Sequence, residues 1–378
     1  MAEKHLFIIC GEASGDLNAA NLVKAIKQIA PQTRFSCVGG DFLRKEDAEI
    51  IYDIKGLSVM GFFDVLKKLP AFFGLKKIVL DKITAQKPDA IILVDFSGFN
   101  LRLAKAINGI IPVIYYVSPQ VWASRAGRVQ TIKKFISKMV VLFKFEGDFY
   151  KKFGVNVDFA GHPLLDIVKP SQEKNEFLKQ NGLAQGKLTI ALLPGSRKQE
   201  IRKILPVMLK SALLIMKTFP EAQFVIAKST QVDWEIYNNL IKNLNLNLKI
   251  IEGKTYDCLN AADFALVCSG TATLETAIMQ KPFVIIYKMS LLNYLLYRPQ
   301  VKLPYIGMVN IVAGKKIIPE FIQFKAKPKE IAAETVRILN NSAQLIEMKN
   351  ALCQIKSSLG EPGASSRAAK IITDFINK

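Results

Sequence analysis

Short apolar runs alternate with stretches of helical periodicity along most of the chain. After Leu6–Cys10 and a polar loop, apolar residues recur at helical spacing from Ala19 to Ile29, which predicts a helix that follows a buried strand. Continuous apolar runs are typical of parallel strands that are covered on both faces. The predicted strands of the first half are Leu6–Cys10, Arg34–Val38, Ala90–Val94, Pro112–Val117 and Met139–Phe143.

The same pattern restarts after a break at Gly161-His162-Pro163 and a polar segment, residues 169–187, which is typical of a linker leading into a surface helix. Two β/α blocks of similar length predict an α/β protein with two doubly wound, Rossmann-like parallel sheets facing a cleft. We place one domain at 1–168, joined by the C-terminal helix 361–378, and the other at 169–360. The predicted elements of the second half are strands Leu188–Leu193, Gln223–Ala227, Leu248–Ile251, Phe264–Cys268 and Phe283–Tyr287, and helix Thr271–Gln280.

The composition adds a strong positive charge. Lysine and arginine number 52 against 32 aspartate and glutamate residues, so the 378-residue chain carries a net charge of +20. Such a charge implies contact with nucleic acid, phosphorylated metabolites or acidic lipid. Half of the residues are hydrophobic, which excludes a mainly disordered chain, and no apolar stretch reaches the ~18 residues of a membrane span. Five cysteines without C-x-x-C spacing and no signal-peptide pattern predict buried free thiols in a cytoplasmic protein.

Polar, glycine-containing loops follow several predicted strands, at the edge where parallel sheets bind ligands. The first is Gly11–Asp16 (GEASGD), whose two glycines allow close approach of a ligand to a helix N-terminus. It lacks the G-x-G-x-x-G spacing of dinucleotide-binding loops, and the alternative is a tight turn capped by Ser14 or Asp16. The candidate ligand contacts in this loop are Glu12, Ser14, Gly15 and Asp16.

An acidic residue, Asp95, ends the predicted strand Ala90–Val94. A carboxylate at this strand end points into the predicted cleft and can take a proton from an attacking hydroxyl. The alternative is that it caps the helix starting near Asn100. Asp95 is therefore the candidate general base.

The loop Leu192–Arg197 (LLPGSR) in the second half suits a phosphate group. Gly195 and Ser196 place donors at a helix start, and Arg197 adds a fixed cation. The loop lacks the spacing of a P-loop. The alternative is an ordinary helix cap with a surface arginine.

A further loop of this kind is Ser269–Glu275 (SGTATLE). Ser269, Gly270 and Thr271 place small polar groups at a helix N-terminus, and Glu275, one turn further, can accept hydrogen bonds from both hydroxyls of a ribose. The alternative is that Glu275 is a favourable charge in the first helical turn. Two phosphate-type loops make the second half the predicted nucleotide-binding domain.

The sequence gives little support for a metal or another cofactor. Two histidines, His5 and His162, and dispersed cysteines cannot form a zinc site of usual spacing, and no D-x-D pair is available for a metal–diphosphate. Arginine and helix dipoles must then stabilise a departing diphosphate. We expect His162 to be structural, as a hinge residue between the two halves.

Residues 57–80 combine aromatic side chains with lysines, which suits a surface that dips into an anionic leaflet. Pro70 and Gly74 are expected to break a helix in this segment. A second segment, Leu291–Arg298, is expected to add to the same membrane-facing surface. The alternative is a core-packing helix pair with solvated lysines. The predicted membrane contacts are Phe62, Phe63, Leu66, Lys67, Lys68, Leu69, Phe72, Phe73, Lys76 and Lys77.

Taken together, these segments resemble the lipid-A-disaccharide synthase family of GT-B-type glycosyltransferases. The likeness runs in order through nearly the whole chain and is specific. Its matching segments are Gly11–Asp16, Ser58–Gly61 (SVMG), Asp95 with Phe99 and Asn100, Tyr116–Trp122 (YVSPQVW), Gly161 with His162, Leu192–Arg197, Ser269–Glu275 and Asn310–Gly314 (NIVAG).

The resemblance implies an inverting, metal-independent transfer of 2,3-diacylglucosamine from UDP-2,3-diacylglucosamine to 2,3-diacylglucosamine 1-phosphate, at the cytoplasmic face of a Gram-negative inner membrane. The products are UDP and a β-1,6-linked disaccharide. The essential acid and arginine of the family fall on Asp95 and Arg197, and the GEASGD loop falls on the acceptor side. The UDP contacts fall on Gly195, Ser196, Arg197, Ser269, Gly270, Thr271, Glu275 and Asn310.

The chain departs from the family pattern in one place. Family members carry a second acidic residue three positions after the essential aspartate, where this chain has Gly98. A role for a second carboxylate therefore cannot be transferred, and Asp95 is the only acidic candidate in its loop.

Two other classes of protein are alternatives. A UDP-sugar epimerase also uses two facing doubly wound domains, but it lacks a lipid-facing surface. A nucleic-acid-binding protein is suggested by the charge alone, without a helix-turn-helix, an RRM signature or a basic–aromatic platform. We expect no nucleic acid partner.

Overall fold

The computed structural model describes residues 3–56, 62–124, 126–242, 244–297 and 303–378. The SVMG motif at 58–61 and Arg298 lie outside these residues. The side chains of residues 62–71 are also outside the description, so the predicted membrane contacts Phe62, Phe63, Leu66, Lys67, Lys68 and Leu69 are not placed.

The chain divides into two compact units, Met1–Asp166 with Leu359–Lys378, and Ile167–Ser358. Each unit contains one sheet in which every strand pairing is parallel. The strands are buried because apolar residues run continuously along them; all five positions of Ala90–Val94 and of Phe264–Cys268 are buried. The sheets and their cores thus follow the predicted α/β pattern.

In the first unit the strands have the order β3-β2-β1-β4-β5-β6-β7. The order reverses between β1 and β4, and a doubly wound sheet opens a ligand crevice at such a switch point. These strands are β1 His5–Ile9, β2 Arg34–Gly39, β3 Glu49–Asp53, β4 Ala90–Val94, β5 Val113–Tyr116, β6 Lys138–Val141 and β7 Asp158–Phe159. The helices are α1 Ala13–Ile29, α2 Asp41–Lys45, α3 Phe62–Gln86, α4 Ser97–Ile107, α5 Val121–Ser124, α6 Val129–Phe135, α7 Lys144–Lys151 and α8 Leu164–Ile167.

In the second unit the strands have the order β10-β9-β8-β11-β12-β13, with the reversal between β8 and β11. These strands are β8 Thr189–Leu193, β9 Gln223–Lys228, β10 Leu248–Glu252, β11 Phe264–Cys268, β12 Phe283–Tyr287 and β13 Glu320–Ile322. The helices are α9 Lys174–Gln180, α10 Lys198–Met216, α11 Trp234–Ile241, α12 Thr255–Ala261, α13 Thr271–Ile278, α14 Leu291–Tyr297, α15 Met308–Ala313, α16 Pro328–Leu339 and α17 Ser342–Ser358.

The chain ends with a helix that belongs to the first unit. This helix, α18, spans Ala364–Ile376 and packs against α1. Arg367 Nε donates to the carbonyl oxygen of Ala160 at 2.8 Å, and the Gly363 amide donates to Asp166 Oδ1. The C-terminal segment is therefore held by residues far away in sequence.

Helix α3 contradicts the predicted break at Pro70 and Gly74, because it runs as one helix from Phe62 to Gln86. A proline inside a helix costs about 3 kcal/mol, but burial of one face offsets part of that cost. Leu75, Val79 and Ile83 follow one another at four-residue spacing and are at most 4% exposed. The helix thus packs on the core and continues through both residues.

The polar segment 169–187 is more ordered than a plain linker. It contains α9, and the buried carboxylate of Asp257 accepts hydrogen bonds at 2.7 Å from both the amide and the hydroxyl of Ser171. Among the described residues, no helix has the length and apolar character needed to cross a bilayer.

Candidate active site

The predicted loops lie at the switch points of both sheets. Gly11–Asp16 follows β1 and Asp95 follows β4, and these two strands pair with each other. In the second unit, Pro194–Arg197 follows β8 and Ser269–Glu275 follows β11, and these strands also pair. Each unit therefore brings two predicted loops together at the place where doubly wound sheets bind ligands.

Asp95 occupies an unusual position at the end of β4. Its side chain is half-buried, and its backbone has a φ of +47°, in the left-handed region that few non-glycine residues adopt. Burial, and after it the nearby charge of Glu12, together raise the pKa of the Asp95 carboxyl to about 6. A base with a pKa somewhat below neutral pH is largely ionised at pH 7, and it can therefore accept a proton from a hydroxyl. The alternative, a cap for α4, is wrong, because Phe96 occupies the N-cap position.

Aromatic rings pack against one another at the Asp95 loop. The Phe96 ring stacks on Phe99 at 5.2 Å and approaches Phe72 at 5.9 Å between ring centroids. A Cβ atom on Gly11 would lie 2.3 Å from the Phe96 ring, so glycine is required at this position. Phe72, predicted as a membrane contact, is thus half-buried beside the Asp95 loop, whereas Phe73 is 67% exposed.

The GEASGD loop divides into a structural and an open part. Asp16 is buried, and its carboxylate accepts hydrogen bonds from the amides of Gly40 at 2.7 Å and Phe42 at 2.9 Å. It therefore holds the start of α2. The predicted cap by Ser14 or Asp16 is wrong, since Glu12 is the N-cap residue of α1. Ser14 is exposed and Glu12 half-buried, while Gly15 is buried.

The loop after β8 is organised by Glu200, which the sequence analysis missed. Its carboxylate accepts a hydrogen bond from the Ser196 amide at 3.2 Å and forms an ion pair with Arg197 at 3.5 Å. Gly195 has a φ of +109°, and a Cβ atom there would collide with the Glu200 side chain. An acidic residue three positions after the N-cap Arg197 is the signal for such a contact. Arg197 remains half-exposed and can reach a bound anion.

The loop after β11 lies beside the β8 loop. Burial raises the pKa of the thiol of Cys268, the last residue of β11. The charge of Glu200 also raises this pKa and that of Arg197 lowers it, so both residues of the β8 loop lie close to the thiol. The Ser269 hydroxyl donates to the carbonyl oxygen of Ile306 at 3.3 Å. Gly270, at a φ of +150°, and Thr271 are exposed at the N-terminus of α13.

Glu275 lies beyond the first turn of α13, so the interpretation as a first-turn charge is wrong. Its carboxylate accepts a hydrogen bond from the Tyr256 hydroxyl at 3.2 Å, and burial raises its pKa. A desolvated carboxylate favours further hydrogen-bond donors. The hydroxyls of a ribose supply such donors.

Asn310 does not fit its predicted role as a UDP contact. It is fully buried, and its Nδ2 donates to the Ile318 carbonyl oxygen and to Glu320 Oε1, both at 2.8 Å. Its Oδ1 accepts from the amides of Ile317 and Ile318, both at 2.9 Å. All hydrogen-bonding positions of the amide are therefore occupied within the chain. Asn310 holds the segment that follows α15.

Two buried polar clusters escaped the sequence analysis. Glu146 accepts hydrogen bonds from Ser118 at 2.6 Å and Trp122 at 3.2 Å, so the YVSPQVW segment is tied to α7. Lys228 is 1% exposed and pairs with Glu252 at 2.5 Å, at the ends of β9 and β10. These partners of Glu146 and Lys228 lie more than 20 positions away in the sequence, so no local pattern indicated them.

His162 is buried and held by contacts within the first unit. Its Nδ1 accepts a hydrogen bond from the Leu164 amide at 3.2 Å, and its ring lies 5.0 Å from the Phe143 ring. Burial lowers its pKa to about 4, so it is neutral at physiological pH. Four of the five cysteines are buried free thiols, whereas Cys353 is exposed. Among the described residues, no group of three or more His, Cys, Asp or Glu side chains is placed to hold a metal ion.

The architecture is that of the two-domain GT-B class. The UDP-GlcNAc 2-epimerase from Neisseria meningitidis bound to UDP-GlcNAc is similar with a TM-score of 0.65 at 13% identity over 99% of both chains. MurG from Acinetobacter baumannii is similar with a TM-score of 0.58 at 15% identity over 98% of this chain and 99% of that one. The predicted fold class is confirmed. Because an epimerase and MurG share this fold, the fold alone does not separate transferase from epimerase.

Sequence relationships separate the transferase from the epimerase. A family model for lipid-A-disaccharide synthetase matches residues 6–375. The lipid-A-disaccharide synthase of Syntrophus aciditrophicus (strain SB) is 41% identical over 382 residues, covering 100% of this chain and 99% of that one. The synthase of Geobacter sulfurreducens is 37% identical, covering 99% and 97%. The chain belongs to the lipid-A-disaccharide synthetase family, which forms the lipid A disaccharide. The resemblance is confirmed, and the family favours a transferase over an epimerase.

Proposed function

We propose that this chain transfers 2,3-diacylglucosamine from UDP-2,3-diacylglucosamine to the 6-hydroxyl of 2,3-diacylglucosamine 1-phosphate. Asp95 takes the proton of that hydroxyl as its oxygen attacks the anomeric carbon. The bond from that carbon to the diphosphate breaks on the opposite face, and UDP leaves. The configuration at the anomeric carbon is therefore inverted, and the new linkage is β-1,6. One base suffices for such a displacement, and the leaving group needs stabilisation of its negative charge.

The observation that carries this proposal is the carboxylate of Asp95, which follows β4 at the switch point and has a pKa raised to about 6. In the second unit, Arg197 and the N-terminus of α13 supply positive charge for the diphosphate. Ser196, Ser269, Gly270 and Thr271 donate to its oxygens, and Glu275 accepts from the ribose. Glu12, Ser14 and Gly15 lie on the acceptor side.

The decisive experiment is UDP release from UDP-2,3-diacylglucosamine, with and without the acceptor and in the presence of EDTA. Asp95→Asn should lower the turnover with acceptor by about 10²–10⁴-fold and leave UDP binding near normal. Arg197→Ala should weaken both. Asp158→Asn is the matched control, because Asp158 forms a surface ion pair with Lys138 in the same unit. Full turnover in Asp95→Asn would move the base to another residue, and loss of turnover in EDTA would contradict a metal-independent reaction.

We infer that the protein works at the cytoplasmic face of the inner membrane, on an anionic lipid surface. Support in α3 comes from Phe73, which is exposed three and four positions before Lys76 and Lys77, on the same side of the helix. Support in α14 comes from Leu291, Leu292 and Leu295, which are 53–60% exposed and therefore do not pack in a core. Each lysine close to an anionic leaflet adds about 1 kcal/mol of attraction.

Flotation with vesicles tests this inference. Phe73→Ser and the triple variant Leu291→Ser, Leu292→Ser and Leu295→Ser should each reduce flotation with vesicles that contain phosphatidylglycerol. Ile110→Ser is the control, because Ile110 is 83% exposed outside both helices. Phe72 is left unchanged, since its contact with Phe96 would mix binding with catalysis. Equal flotation of all variants would contradict the membrane assignment of α3 and α14.

A further inference from the structure

The backbone around Asp95 is strained over two neighbouring strand ends. Asp95 and Phe96, which follow β4, both have a φ of +47°, and Val117, which follows β5, has a φ of +61°. Left-handed conformations are costly for residues with side chains, above all for a β-branched residue such as valine. Such a conformation persists only where the surroundings impose it. Specific contacts must therefore hold this turn.

Two buried side chains supply such contacts. The Tyr115 hydroxyl donates to the backbone carbonyl oxygen of Asp95 at 2.5 Å, and Asn100 Nδ2 donates to the same oxygen at 2.9 Å. The Asp95 amide donates to the carbonyl oxygen of Val117 at 3.3 Å. Thus both polar groups of the Asp95 backbone are occupied, one of them by two side chains.

Both donors are held firmly. Tyr115 and Asn100 are fully buried, and Tyr115 lies on β5 in register with Leu93 of β4. Asn100 Nδ2 also contacts the carbonyl oxygen of Val94 at 3.3 Å from the first turns of α4. Neither side chain contacts the Asp95 carboxylate in these interactions, so both act on its backbone. A carbonyl that receives two side-chain donors cannot rotate without leaving buried donors unpaired.

We propose that Tyr115 and Asn100 are positioning residues, which hold the Asp95 backbone in the left-handed conformation and thereby aim its carboxylate at the acceptor hydroxyl. This inference rests on the proposed role of Asp95 as the base. Loss of one donor lets the strained turn relax, and the carboxylate then leaves its position. The turnover number falls, whereas binding of the UDP-sugar at the loops of the second unit does not change.

The test compares Tyr115→Phe, which removes one hydroxyl, with Tyr150→Phe. Tyr150 is a buried tyrosine of the same unit whose hydroxyl donates to the Pro119 carbonyl oxygen at 3.3 Å instead. For Tyr115→Phe we expect kcat to fall about tenfold or more with the KM for UDP-sugar within twofold of the parent. Tyr150→Phe should keep the parent kcat, so a general loss of packing does not explain the effect.

A double-mutant cycle with Asn100→Ala examines whether both donors act on one group. The proposal is supported if the reduction in kcat of the double variant is smaller than the product of the two single reductions. Independent, multiplicative effects on kcat would overturn the shared action of Tyr115 and Asn100 on one carbonyl group. A parent-like kcat in Tyr115→Phe, together with an inactive Asp95→Asn, would overturn the positioning role but not the proposed base. An active Asp95→Asn would instead remove the proposed base.

Discussion

Glu12 and Asp95 follow the paired strands β1 and β4, and the negative charge of Glu12 adds to burial in raising the pKa of the Asp95 carboxyl. A base must be ionised to accept a proton. The two acidic residues therefore set the lowest pH at which the proposed reaction runs.

Replacing Glu12 by Gln removes this charge and should lower the pKa of Asp95. Because the ionised form then persists to lower pH, the acid limb of kcat/KM, expected near pH 6, should move down by about half a unit. The measurement is the pH profile of UDP release. Asp47→Asn is the control, since the Asp47 side chain is 93% exposed in the same unit. An unchanged limb would show that Asp95 is not the group that titrates.

Gly98, three positions after Asp95, is open to substitution. No atom lies within 4 Å of the position of its Cβ, and it is the second residue of α4. Gly98→Asp should raise the free energy of unfolding by about 1 kcal/mol, because it removes a flexible glycine and places a negative charge at a helix N-terminus.

Urea unfolding measures the stability of Gly98→Asp, and Gly98→Asn separates the charge from the loss of glycine. The added charge should also move the acid limb of the pH profile upward, in the direction opposite to Glu12→Gln. A less stable Gly98→Asp would contradict the open geometry around this residue.

Asp16 is predicted to matter for stability. Asp16→Ala leaves the amides of Gly40, which is buried, and Phe42, which is partly buried, without their acceptor, and should lower the free energy of unfolding by about 2–3 kcal/mol. Asp41→Ala is the matched control: its carboxylate pairs with Arg44 and Lys55 at the surface, where such pairs contribute about 0–1 kcal/mol. Equal stability of both variants would refute the structural role of Asp16.

Glu275 is predicted to determine the affinity for UDP. Glu275→Gln loses an acceptor of two hydroxyl hydrogen bonds, so calorimetry should give a Kd for UDP about tenfold higher. Tyr256→Phe, which removes the donor to Glu275, should have a smaller effect. Glu334→Gln serves as the control, because Glu334 pairs with Arg337 on α16. A parent-like Kd in Glu275→Gln would place the ribose elsewhere.

The fold was largely predictable from the apolar runs. Every predicted strand is present within two residues at either end, because a strand buried on both faces needs a continuous run of apolar residues. The strands β3, β7 and β13 were missed. They are two to five residues long and contain no buried position, so they leave no such run in the sequence.

The positions of the candidate loops at the ends of buried strands were predictable as well, since glycines and small polar residues after such strands are typical of places where ligands approach the backbone. The partners of these residues were not. Asp16 binds amides 24 to 27 positions away, and Asn310 is saturated by a segment that follows its own helix. A sequence shows that a residue can form hydrogen bonds, but not whether the chain itself already uses them.

The sequence by itself determined the two parallel sheets, the order of the ligand loops and the family, because these depend on local patterns of burial and on residue identity. Only the tertiary structure decided which polar residues are available. Pairing of β4 with β1 and β5 brings Glu12 and Tyr115 to Asp95, where the charge of Glu12 affects its pKa and the Tyr115 hydroxyl, with Asn100 of the following helix, holds its backbone. The contributions of Glu12 and Tyr115 depend on distances between residues that are remote in sequence.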